Sequence, residues 1–394
     1  MEQIVELILA ISLASWLYLI LFHWSFWRAD QRLNADLPAP DKWPEVVAVI
    51  PARDEADNIA PVLSSHASST YEGKYSIVLV DDHSSDGTSA IAETVADKSG
   101  RLITIAHAPQ LEPGWTGKLS ALQDGLRIAE KQAPNVRYIL FTDADIVHAP
   151  DTLSRLVMKA EHDRIALVSL MARLDSRGLW GTLLIPAFVF FFQKLYPFRA
   201  VNDPGSSVAA AAGGCMLVRK DRLVQVGGLS PIRDKLIDDC ALANRIKTVP
   251  TSRDIWLGVS CGEVISLRDN RALSSTWSMV TRTAFTQLGY SWWKLFGTVA
   301  GMCLLYLAAP LAVVTLPWHQ DQAMAFLGMI TWLVMSIAYW PTLSLYDKHP
   351  LSVCALPVSA GFYALMTIMG ALQHLRGQGN VWKGRSYKAR TLRR

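Results

Sequence analysis

Long apolar runs without charge and short apolar runs set among polar residues alternate along this chain, and the two kinds predict different structures. Residues 3–24 are apolar around the lone acid Glu6 and match the ~20 residues that cross a bilayer. Further runs at about 295–317, 323–345 and 351–373 contain no Asp, Glu, Lys or Arg. Ionisable groups inside a membrane mark ion and proton paths, so uncharged runs read as anchors rather than as a transporter or channel. The run 179–198 (LWGTLLIPAFVFFFQKLYPF) is broken by Pro186 and carries Gln193 and Lys194. It reads as an interfacial helix with Phe188, Phe190, Phe191 and Phe192 toward the acyl chains; a buried core helix is the alternative.

Between 44 and 290 the pattern changes to short β-branched runs at 45–50, 75–81, 102–106, 137–143 and 165–171. They predict strands. The segments Asp57–Ser69, Gly87–Lys98 and Gly117–Lys131 have helical character, with Leu119, Leu122 and Leu126 on one face of the last. Alternating strands and helices predict an α/β domain, a mostly parallel sheet flanked by helices, joined to N-terminal and C-terminal transmembrane helices. The division expected is an anchor at 1–27, a catalytic domain at 44–290, membrane helices at 291–375 and a basic tail at 376–394. The alanine-glycine stretch 205–214 reads as a mobile loop.

Arg28 and Arg32 follow the first apolar run, which places the domain after it in the cytoplasm by the positive-inside rule. Three full spans at the other end would then leave the tail outside. That tail carries Arg376, Lys383, Arg385, Lys388, Arg390, Arg393 and Arg394 and no acid. The conflict is resolved here by reading 351–373 as re-entrant or interfacial.

Composition agrees with membrane contact. Of 394 residues 51% are hydrophobic and 18% charged, against about 25% charged in an ordinary soluble domain. Mean hydropathy is +0.20, and there are fourteen Trp. The net charge of +4 is too small an excess to call for nucleic acid. Five scattered cysteines without a C-x-x-C pair indicate neither a disulfide framework nor a zinc site.

Ligands of open α/β sheets bind beyond the carboxyl ends of the strands, so the polar residues there are the candidates for chemistry. The first strand leads into Arg53, Asp54 and Glu55, and the second into Asp82 and the cluster Ser84–Thr88. Carboxylates can accept from a ribose and from an imide N–H, while Ser84–Thr88 fits helix capping equally well. The fourth strand ends in Asp143-Ala144-Asp145, where strand alternation would put both carboxylates on one side. Such a pair can grip Mg²⁺ or Mn²⁺ with a diphosphate supplying further oxygens; an ordinary loop entry is the bland reading. Gly114-Trp115-Thr116-Gly117-Lys118 opens a helix with free N–H groups and a cation, a natural phosphate site. Asp238 and Asp239 start another helix and read either as caps or as a general base.

Taken in order, PARDEADNI, VDDHSSDGT, GWTGKLSALQDGL, FTDADIVHAP, AAAGGCMLVRKD and IDDCALANRIK resemble the membrane-bound inverting glycosyltransferases of family 2 with a GT-A fold. LLIPAFVFFFQKLYPF, LIDDCALA and GNVWKGRSY resemble, within them, the hopene-associated glycosyltransferases of bacteria. The resemblance implies an enzyme that moves a hexose-type sugar from a nucleotide-diphosphate sugar, a UDP-sugar, to a hydroxyl of a membrane lipid such as a hopanoid. A polyprenyl phosphate or diacylglycerol acceptor is the alternative. It further implies Asp54 or Glu55 and Asp82 on the nucleoside, Lys118 by the diphosphate, Asp143 and Asp145 on Mg²⁺ or Mn²⁺, and Asp239 as the base. Arg282 is the one residue kept from a later Q-x-x-R-W motif, and would neutralise the leaving diphosphate. The implied location is the bacterial inner membrane, multi-pass, with the catalytic domain facing the cytoplasm. A nucleotidyltransferase and a non-catalytic lipid-binding scaffold are the rival classes.

Overall fold

The computed structural model describes residues 2–34, 36–249, 255–377, 381–382 and 385–386. Most of the basic tail, including Lys383, Lys388, Arg390, Arg393 and Arg394, lies outside them. The chain divides into two units. One comprises residues 30–174 and 198–268, the other residues 1–29, 175–197 and 269–394.

The first unit is built on the strands β1 Val46–Ala52, β2 Tyr75–Asp81, β3 Ile103–His107, β4 Tyr138–Phe141, β5 Ile146–His148, β6 Leu167–Met171, β7 Met216–Arg219, β8 Ile255–Val259 and β9 Val264–Ser266. Seven form one sheet in the order β3-β2-β1-β4-β7-β6-β8, while β5 pairs with β9. β7 runs antiparallel to both β4 and β6, and the other neighbours in the sheet are parallel. Every residue of β1 is buried, as expected where helices cover both faces of a parallel strand. Val46, Ala48 and Ile50 pack with Ile59, Val62, Leu63, Leu153, Leu156 and Val157 of the helices Ile59–Ala67 and Thr152–His162. Val49 faces the helix Gly117–Gln132, where a Cβ on Gly125 would lie 2.4 Å from Val49 Cγ1. Only glycine lets that helix come so near.

The fold expectation is met: a mostly parallel sheet with flanking helices, and apolar helices near both termini. Five strands fall where the β-branched runs placed them. The segment 205–214 has no regular secondary structure, yet Ala210 and Ala211 are fully buried. Its start is fastened by the buried Lys247 ammonium, which donates to the carbonyls of Ala200, Val201 and Val208 at 3.1, 2.6 and 2.7 Å. The reading of this stretch as a mobile loop is therefore corrected: small side chains allow tight packing as readily as they allow freedom.

The second unit is helical. Gln3–Phe22, Gly178–Leu195, Trp292–Val314, Gln322–Leu345 and Pro350–Leu375 are five helices long and apolar enough to cross a membrane, by length and composition, among the described residues. Trp16, Phe190, Tyr306, Tyr339 and Met366 form its buried centre. Phe190 stacks on Trp16 and meets Tyr339 edge-on. It therefore faces the helical core rather than acyl chains, which corrects the expectation for that residue. A π-helical turn at Cys303–Leu307 breaks the regular ladder of its helix. Two carbonyls of that turn, Leu304 and Leu305, accept from Ser12 Oγ at 2.8 Å and Trp16 Nε1 at 2.7 Å. Such interhelical hydrogen bonds satisfy polar groups that apolar surroundings leave without water.

Candidate active site

Asp143 and Asp145 do not belong to a strand. Pairing of β4 with β7 stops at Phe141 opposite Met216, and a turn closed by Ile146 N–H on the Asp143 carbonyl at 3.2 Å leads into β5. The turn, rather than strand alternation, thus places the two carboxylates. From the other side, Leu267 N–H at the end of β9 donates to the Asp145 carbonyl at 2.7 Å.

Lys118 is the second residue of the helix Gly117–Gln132, whose N-cap Thr116 accepts from Leu119 N–H at 3.3 Å. Its ammonium lies 2.8 Å from Asp143 and 3.3 Å from Asp238, pairs that raise its pKa against the burial that would lower it. Asp238 and Asp239 are the first two residues of the helix Asp238–Thr248; neither is its N-cap, and both sit where the helix dipole favours negative charge. Asp239 accepts Gly213 N–H on Oδ2 at 2.8 Å and Cys240 N–H on Oδ1 at 2.7 Å. Three carboxylates from two segments are thus gathered around one ammonium.

Their charges interact. Burial, then Asp238, pushes the Asp239 carboxyl up to about 6, with Lys118 and the two N–H groups opposing. Burial, then Asp143 and Glu55, pushes Asp145 up to about 6 as well, against Arg268 and Lys118. Asp143 is also raised by burial, with Lys118 as the main opposing charge.

The nucleoside candidates form a second cluster after β1 and β2. The buried carboxylate of Asp82 lies 3.7 Å from the Arg53 guanidinium, which also reaches Asp54 at 3.9 Å. Asp54 has φ +49° and accepts Ser85 N–H at 2.9 Å. Ser84 Oγ accepts Asp54 N–H at 2.9 Å, and Thr88 Oγ1 accepts Glu55 N–H at 2.8 Å. Asp86 Oδ1 accepts Thr88 N–H at 3.0 Å, so the Ser84–Thr88 cluster is occupied in holding this corner together. Glu55 bridges the clusters electrostatically, since its charge acts on both Asp143 and Asp145.

Residues 47–227 match the family model Glycosyl transferase family 2. The chain carries a glycosyl transferase family 2 domain. An N-acetylglucosaminyltransferase of Mesorhizobium japonicum is 26% identical over 198 residues, 49% of this chain and 43% of that protein. The succinoglycan biosynthesis protein ExoO of Rhizobium meliloti is 33% identical over 146 residues, 36% of this chain and 38% of that protein. This chain thus spans less than half the length of these curated relatives. The mannosyltransferase PcManGT of Pyrobaculum calidifontis, solved with GDP-Man and Mn²⁺, superposes with a TM-score of 0.58 at 19% identity, covering 92% of this chain and 99% of that one, which shows a shared fold.

Within the first unit the structure brings together Lys118 and Asp143, which lie inside the matched residues 47–227, with Asp238 and Asp239, which lie just beyond them, and it groups Asp54 and Asp82 through Arg53. Arg282 lies on the helix Leu273–Gln287, in the helical unit. Sequence reasoning missed Arg53, Gly213 and Arg268 as contributors. The paired glycines 213 and 214 after four alanines were the available signal for Gly213.

Proposed function

We propose that this protein is an inverting glycosyltransferase that moves a hexose-type sugar from a nucleotide-diphosphate donor to a hydroxyl of a membrane lipid. The observation that carries the reading is the bridge made by Lys118 between Asp143 and Asp238, which puts a D-x-D turn beside an acidic helix start. Asp239 takes the proton of the acceptor hydroxyl as that oxygen attacks the anomeric carbon. Its carboxyl at about 6 is ionised at neutral pH yet basic enough to accept a proton. Lys118 holds the carboxylates beside the leaving diphosphate and offsets the charge that develops there. Asp82, Asp54 and Glu55 bind the nucleoside, and Arg282 is proposed as a second cation for the diphosphate.

Asp143 and Asp145 fit Mg²⁺ or Mn²⁺. Two hard carboxylates whose mutual repulsion helps raise the second to about 6 suit a divalent cation. No group of three or more His, Cys, Asp or Glu ligands occurs among the described residues, so the remaining oxygens would come from the diphosphate and water. When bound, the cation supplies Lewis-acid stabilisation of the leaving group.

The apolar helices support an acceptor held in a bilayer, and with the positive-inside pattern they support a multi-pass protein of the bacterial inner membrane whose catalytic domain faces the cytoplasm. The motifs LIDDCALA and GNVWKGRSY favour a hopanoid and a UDP-sugar. Mass spectrometry of lipids from cells with and without the gene tests this. A glycosylated hopanoid lost with the gene supports the assignment, and loss of a glycosylated polyprenyl phosphate or diacylglycerol instead replaces the acceptor.

A further inference from the structure

We propose that Thr142 is a positioning residue that couples the D-x-D turn to the general base through the glycine pair 213–214. The inference rests on the reading of Asp239 as the base and of Asp143–Asp145 as the donor-binding turn. Thr142 immediately precedes Asp143, and it is fully buried. Its hydroxyl donates to the Gly214 carbonyl at 2.8 Å. The preceding residue, Gly213, donates its N–H to Asp239 Oδ2 at 2.8 Å. Five residues therefore link the two halves of the site: Asp143, Thr142, Gly214, Gly213 and Asp239.

The two glycines face different partners. A Cβ on Gly213 would lie 3.3 Å from Lys118 Nζ and 3.4 Å from Asp239 Oδ2, whereas one on Gly214 would lie 3.2 Å from Ile146 Cδ1, the residue after Asp145. The pair thus sits where movement of the D-x-D turn is passed to the base. Ser169 fixes the preceding residue, accepting Ala212 N–H at 2.9 Å, but touches neither carboxylate group. That division leaves Thr142 as the fastener on the D-x-D side.

The Gly214 carbonyl sets the direction of the Thr142 proton, and with it the tautomer of His148. A hydroxyl has one proton, and Thr142 gives it to Gly214, so its contact with His148 Nε2 at 3.1 Å must be accepted from an Nε2–H. That tautomer leaves His148 Nδ1 bare, and this atom has no hydrogen-bond partner in the structure. His148 lies behind the site with its ring centroid 4.5 Å from that of His66, whose Nδ1 meets the Tyr75 hydroxyl at 2.7 Å. Burial lowers the pKa of both imidazoles, so each is neutral.

The test compares Thr142→Val, Thr142→Ser and His148→Phe in the full chain in detergent, by amide hydrogen exchange over residues 209–216 and by steady-state kinetics with varied nucleotide-sugar. Thr142→Val keeps the side-chain shape without the donor. The expected result is faster exchange in this segment, a kcat lower by about tenfold or more, and a donor KM within about twofold of the parent. Thr142→Ser restores both, and His148→Phe shows the same signs at smaller amplitude. Parent-like exchange in Thr142→Val, failure of Thr142→Ser to restore kcat, or a donor KM that worsens as much as kcat would each overturn the coupling. If Thr142→Val does not fold, His148→Phe and Thr142→Ser decide it. Exchange needs no activity, so it stands apart from the functional reading, which Asp239→Asn tests on its own by sugar transfer.

Discussion

The backbone N–H of Gly213 points at Oδ2 of Asp239 over 2.8 Å, and a Cβ on that glycine would stand 3.3 Å from the Lys118 ammonium. Gly213→Ala would therefore press on the proposed base itself and on the Lys118 ammonium. The flexible Lys118 end gives way, so the fold survives while the site shifts. Contacts of 3.3 and 3.4 Å ask for much less than the ~1 Å displacement that costs on the order of 100-fold in rate, so kcat of Gly213→Ala should fall, but by clearly less than that factor. A melting temperature close to the parent's, measured alongside, separates this from unfolding.

Activity and stability should respond to pH with opposite signs. The base works only when ionised, so kcat/KM should fall about tenfold per unit below pH ~6 and level off above it. A carboxyl raised in the fold binds its proton more readily there than in the unfolded chain, where its pKa is about 4. Its stabilising contribution is then complete below about pH 4 and is lost as pH rises through about 6. Thermal unfolding of metal-free protein between pH 4 and 7 should show the parent losing more stability across this window than Asp239→Asn.

Lys118 offsets carboxylates from two segments. Removing one partner of a fully buried charge pair typically costs about 3 kcal/mol or more; Lys118 is 22% and Asp143 34% exposed, so solvent screens part of this and Lys118→Met should lose less than that amount of stability in chemical denaturation. The loss should be smaller at pH 5, where the raised carboxyls take up protons, and chemical denaturation at the two pH values checks it.

Much of the fold was legible because its determinants are local. β1, β2, β4 and β6 are runs of β-branched or aromatic residues buried on both faces, and such runs announce themselves in a sequence. The three-residue strands β5 and β9 are too short for any periodicity to register. The reversal of β7 between β4 and β6 is a matter of topology that no local pattern encodes. The site was legible to the same extent. Asp143, Asp145, Lys118 and Asp239 stood out as polar residues at element ends. Arg53 stood among the polar residues after the first strand without a role, and Thr142 read as the end of a strand. The Gly213 contact joins positions 26 residues apart, a proximity created by the fold alone.

The apolar helices lead to a physical prediction of their own. Trp293 is 86% and Trp318 78% exposed in the isolated chain, a large apolar area for water to face. The protein should sediment with membranes, resist alkaline carbonate extraction and dissolve only in detergent; recovery in the carbonate supernatant would contradict the membrane reading.

The most direct measurement pairs Mn²⁺-dependent donor-nucleotide binding with sugar transfer to lipid in Asp145→Ala and Asp239→Asn. The account predicts that both variants lose transfer by about 1000-fold or more, that Asp145→Ala also loses Mn²⁺-dependent binding, and that Asp239→Asn binds nucleotide like the parent. Parent-level transfer in either variant, or Mn²⁺-dependent binding that survives Asp145→Ala, would contradict it.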